Sequence, residues 1–104
     1  MTDELSLIEK LHGETARICW LELQRFFAQG AVMQVADTLD LVKVAAWFAE
    51  DNHQELEIHF KSGAIAAPSD AQARTWYTQK AELWGVVVAP FVLVQERIKS
   101  IGYS

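Results

Sequence analysis

The chain has 104 residues, 14 of them acidic and 9 basic, with a formal charge of −5. That length supports a single domain, 1–104, with a core over about 5–95 and a short C-terminal tail, and excludes two independent cores. Lys10, Arg17, Arg25, Lys43, Lys61, Arg74 and Lys80 are widely spaced, so no basic stripe points to nucleic acid or an anionic membrane as partner.

The first predicted element is helical and covers residues 4–29. Ala16, Cys19, Trp20, Leu23, Phe26 and Phe27 recur at three- and four-residue spacing, and Leu5, Ile8 and Leu11 begin a similar stripe before Gly13. Gly13 either sits inside one long helix, at a cost of about 1 kcal/mol, or separates two. Gly30 suits a C-terminal cap. Residues 31–36 alternate as a short strand. Asp37 or Thr38 is expected to cap the next helix, where Leu41, Val44, Ala45, Phe48 and Ala49 form an apolar face broadened by Val42, Ala46 and Trp47.

Residues 53–61 fit either a helix pairing Leu56 with Phe60 or a strand placing His53, Glu55, Glu57 and His59 on one face. Polar content and the lack of a turn signal favour the helix. Residues 64–67 suit a small edge strand or an extended loop. Ser69 and Gln72 form a capping box for a helix reaching about Glu82, with Ala73, Trp76, Tyr77 and Lys80 on one face. Leu83–Val94 carries no charge and is rich in valine, as expected of a buried strand. Pro90 marks a bulge, an edge or a break between strands 84–89 and 91–95. Residues 96–104 read as a tail.

Cys19 is the only cysteine, which suits a reducing compartment. Met1-Thr2-Asp3-Glu4 lacks the features of a secretory signal, and the longest apolar run is shorter than the roughly 20 residues of a membrane-spanning helix. A cytoplasmic location without membrane association is therefore expected.

Chemistry-bearing residues concentrate at 51–59. Asp51, His53, Glu55 and His59 supply imidazole and carboxylate ligands for zinc or manganese. His53 and His59 are six apart, however, and not at the four-residue spacing of a zinc peptidase. An acidic solvated surface accounts for the same pattern. Cys19 falls on an apolar face without an adjacent base, and the five glycines are isolated, so neither a nucleophile nor a phosphate loop is expected and no cofactor is implied. Trp47, beside the main apolar face of its helix, would mark a pocket rim or subunit contact if exposed.

Three phrases resemble a known family over about residues 5–95: Glu14-Thr15-Ala16 leading to Trp20 and Leu23–Gly30; Leu39–Val42 with Val44-Ala45 and Phe48–Asp51; and Leu83-Trp84 running into Val87–Gln95. The family is one of small uncharacterised bacterial proteins, classed as a domain of unknown function. The resemblance implies a bacterial, intracellular, single-domain protein and a helix over 53–61, and it implies no reaction or ligand. The polar residues within these phrases, Glu14, Gln24, Arg25, Asp40, Asp51 and Gln95, are where a site is sought. Gln95 leads because it closes the apolar strand.

The resulting expectation is an α+β domain with a short, mainly antiparallel sheet covered by helices on one face in two layers. Function is expected to be nonenzymatic protein interaction or regulation as a homo-oligomer, with Trp47, Arg25 and Gln95 at an interface or pocket. The alternative is a metal-dependent enzyme or small-ligand binder using Asp51, His53, Glu55 and His59.

Overall fold

The computed structural model describes residues 4–96. In chain order it runs α1 (Glu4–Glu14), β1 (Ala16–Cys19), α2 (Trp20–Ala28), β2 (Val32–Val35), α3 (Leu41–Ala49), α4 (His53–Ser62), β3 (Ile65–Ala66), α5 (Asp70–Gln79), β4 (Glu82–Val88) and β5 (Phe91–Gln95). The strands form one sheet in the order β1-β4-β5-β2-β3. Only the β2–β5 pairing is parallel; β1–β4, β4–β5 and β2–β3 are antiparallel. The α+β class and the mainly antiparallel sheet match the expectation.

The layering differs from it. Successive side chains of a strand point to opposite faces, and in β4 and β5 both faces are apolar. Val86, Leu93, Trp84, Val88 and Phe91 join one core with α1, α3 and α4. Leu83, Val92 and Val94 join a second with Trp20 and Leu23 of α2 and Ala73 and Trp76 of α5. Helices therefore cover both faces. Uninterrupted apolar runs of this kind are the mark of strands buried on both sides.

Residues 16–19 depart furthest from expectation: they interrupt the predicted helix as strand β1. Ala16, Arg17, Ile18 and Cys19 pair with Gly85, Trp84, Leu83 and Glu82. Helical periodicity is a local signal, and here the ladder with β4 overrides it. The pairing is reinforced by Arg17, which bonds Glu82 at 3.1 Å and lies 5.5 Å from the centre of the Trp84 ring. Gly85 leaves room for the side chain of Ile18 on the strand beside it. A Cβ there would stand 2.7 Å from Ile18 Cδ1.

Other boundaries follow their local chemistry. Gly30 (φ 76°) ends α2 in the left-handed region. Residue Asp40, not Asp37 or Thr38, caps α3 by accepting from the Lys43 N–H at 3.1 Å. Residues 53–62 are helical, with Asn52 as cap, and Ser69 accepts from Gln72 N–H to open α5. That helix stops at Gln79, short of Glu82, because Lys80 takes a left-handed conformation. Pro90 stands in the turn between β4 and β5, after a cis Ala89–Pro90 bond. The predicted C-terminal tail lies outside the described residues beyond Glu96.

At the end of β5, Gln95 is fully buried and its Nε2 donates to the carbonyl oxygens of Ala36 and Leu39, both at 2.8 Å. This amide fastens the sheet to the loop that leads into α3. Gln95→Ala removes both bonds and leaves a cavity, and it is expected to cost about 3 kcal/mol in urea unfolding. Removing the exposed Glu57–Lys61 pair (3.8 Å) with Glu57→Ala is expected to cost less than about 0.5 kcal/mol in the same measurement.

Candidate functional site

The alternation of β4 places Leu83, Gly85 and Val87 on the face shared with α2 and α5. Leu83 is buried beneath those helices, but Val87 lies beyond them and is 58% exposed. Beside it runs an open groove of about 770 Å³ with a floor of Ile18, Val87 and Val92. The α2 wall contributes Phe26 and Leu21, itself 45% exposed. Trp20 and Leu23 anchor that helix from its other side. Trp20 is fully buried and packs against Trp76 with the rings tilted by 57° and their centres 4.9 Å apart, so the wall is firmly seated.

Glu22, Gln24 and Arg25 give the groove a polar rim. The Arg25 guanidinium lies 5.3 Å from the centre of the Phe26 ring, in the range of a cation–π contact. Among the described residues neither Glu22 nor Arg25 belongs to an ion pair. The lining carries no hydroxyl, thiol or imidazole. It offers apolar contact area flanked by one charge of each sign, which is the chemistry of association.

Of the residues singled out in the sequence, Gln24 and Arg25 are at this groove. Trp47 is elsewhere: it is half-buried on α3 and stacks on His59 of α4, with ring centres 5.0 Å apart and planes 8° from parallel. Gln95 is fully buried; its amide nitrogen is committed to backbone, and its amide oxygen has no hydrogen-bond partner among the described residues. Asp51 sits in the left-handed bend between α3 and α4, and His53 opens α4; both line a cleft beside the β4–β5 turn. Glu55 lies in the first turn of α4, where its N–H bonds the Asn52 side chain. Of the four residues proposed as ligands, Asp51 and His53 thus border the cleft, His59 is in the Trp47 stack, and Glu55 belongs to neither. Among the described residues no group of three or more His, Cys, Asp or Glu is placed to hold a metal ion.

The groove itself was not foreseen. Its strongest signal is Leu21, an apolar residue off the buried stripe of α2. Val87 is hidden within an all-valine run whose uncovered position depends on where α2 ends. At α4, replacing His59 with alanine removes the ring stacked on Trp47 and is expected to cost about 1 kcal/mol. His53→Ala, at an exposed position, is expected to stay within about 0.5 kcal/mol, with urea unfolding of both variants as the check.

Comparison with known proteins agrees with the topology. Residues 6–96 match a family described as "Protein of unknown function (DUF2288)". The chain is also similar to PA1075 from Pseudomonas aeruginosa, whose structure was solved in solution by NMR. The identity is 40% and the TM-score 0.77, over 100% of this chain and 97% of that one. No curated protein matches. Among the described residues no helix is long and apolar enough to cross a membrane.

Proposed function

The chain belongs to the DUF2288 family, proteins of unknown function, and on that premise we propose that it is a nonenzymatic interaction domain that pairs with a second copy of itself through the groove beside α2. The observation that carries this reading is the strip of Ile18, Leu21 and Val87, apolar and left uncovered by α2 and α5. Burial of apolar area at about 25 cal/mol per Å² supplies the driving force for association.

The rim selects a copy of the chain as occupant. Glu22 and Arg25 are three residues apart on one helix and have no ion-pair partner of their own among the described residues. A two-fold pairing is self-complementary by symmetry. It can set Glu22 against the partner's Arg25 and repeat the contact in reverse, with one charge of each sign answering its opposite twice. The pairing must also overcome the repulsion between two chains of charge −5, so it is expected to tighten as salt rises from very low values. The free Cys19 suits the reducing cytoplasm as its setting.

Sedimentation equilibrium of the full chain tests the reading. The wild type is expected to dimerise, and Val87→Lys, at an exposed position, to raise the dissociation constant at least about tenfold. Glu22→Arg and Arg25→Glu are each expected to weaken the dimer about tenfold, and the double reversal to restore it. A wild type that is monomeric throughout, or a double reversal no better than either single one, rules the pairing out.

A further inference from the structure

On the opposite face of the sheet, the β4–β5 turn overhangs the bend between α3 and α4. The cleft between them has a volume of about 270 Å³ and is walled by Phe48, Phe60, Phe91 and Val88. Phe48 is tilted against each of the other two rings. Phe48 meets Phe91 at 5.5 Å and 58°, and Phe60 at 6.1 Å and 76°. Tilted rings have lost the option of stacking on one another in parallel, and they border the same small volume from different directions. Phe60 is 43% exposed, so this wall is open to a ligand.

At the mouth stands Asp51. It is exposed, and among the described residues its carboxylate enters no ion pair. A second cleft of about 370 Å³ adjoins the first through His53, Leu56 and Phe60, and it adds Glu57. No lysine or arginine lines either one. Glu57 is paired with Lys61, which leaves Asp51 as the carboxylate without an ion pair. Aromatic faces and such a carboxylate share a preference: both attract positive charge, and the rings do so most for cations that hold water weakly.

We propose that this cleft binds a small organic cation of the alkylammonium class, with its substituted nitrogen among Phe48, Phe60 and Phe91 and its charge answered by Asp51. The apolar substituents fill the space lined by Leu56 and Val88. A bare metal ion is not the occupant, since the walls supply too few oxygen or nitrogen donors to replace its water. The site is independent of the α2 groove, which lies across the sheet, so either assignment stands or falls without the other.

The test is a ¹H–¹⁵N NMR titration of the full chain with choline and, separately, with its neutral isostere 3,3-dimethylbutan-1-ol. Choline is expected to give saturable shifts at the α3–α4 bend and the β4–β5 turn, and to bind about tenfold tighter than the alcohol. Asp51→Asn keeps the fold, because asparagine tolerates the left-handed conformation (φ 55°) found there. It is expected to weaken choline about tenfold and to leave the alcohol unchanged. Phe60→Leu, a change at a partly exposed wall, is expected to weaken choline in the same direction. Absence of saturable shifts overturns the proposal. So does equal affinity for choline and the alcohol, or choline binding indifferent to Asp51→Asn.

Discussion

The β4–β5 hairpin is the constraint on which the rest of the molecule depends. Its residues from Leu83 to Val94 are apolar on both faces, so neither face can be left to water. Both faces therefore recruit helices, α1, α3 and α4 on one and α2 and α5 on the other. The hairpin is also the centre of the sheet's hydrogen bonding. Pairing with β1 extends it on one side and pairing with β2 on the other. The outer strands β1 and β3 are short, four and two residues, which limits the free edges that invite unwanted strand addition.

Covering is unequal on the two faces, and this inequality produces the candidate sites. Three helices pack over the Val86–Leu93 side, and what remains open there is the small aromatic cleft under the turn. On the other side two helices meet around Trp20 and Trp76. Their contact secures the Leu83 end of β4 and leaves the Val87 end bare. Gly85 contributes to the same result. Lacking a side chain, it accepts Ile18 closely and adds nothing to raise the floor of the groove.

The two sites differ in what they offer. The groove has apolar walls and a charged rim; the cleft has rings and carboxylates. Histidines are present, but His59 is stacked on Trp47 and His53 stands at the mouth of the cleft. Both arrangements suit recognition, one of a protein surface and one of a small cation. They lie on opposite faces of one sheet and can be occupied together.

Much of this was legible in the chain itself. Caps at Ser69 and Gly30, the helix over 53–62, the break at Pro90 and the buried strands flanking it rest on local rules: side-chain bonds to nearby N–H groups, backbone conformations tolerated by glycine, and the absence of charge. The misreading of residues 16–19 has a long-range cause. Residues 16–19 carry helical spacing, yet their partner is Glu82–Gly85, far along the chain, and a long-range ladder leaves no trace in local periodicity. Gln95 ends an apolar run, but whether it meets a ligand or the carbonyl oxygens of Ala36 and Leu39 depends on where the loop before α3 returns. The sequence by itself determined that a doubly apolar hairpin must be enclosed; only the tertiary structure decided which helices enclose each face, and so which valine is left in water.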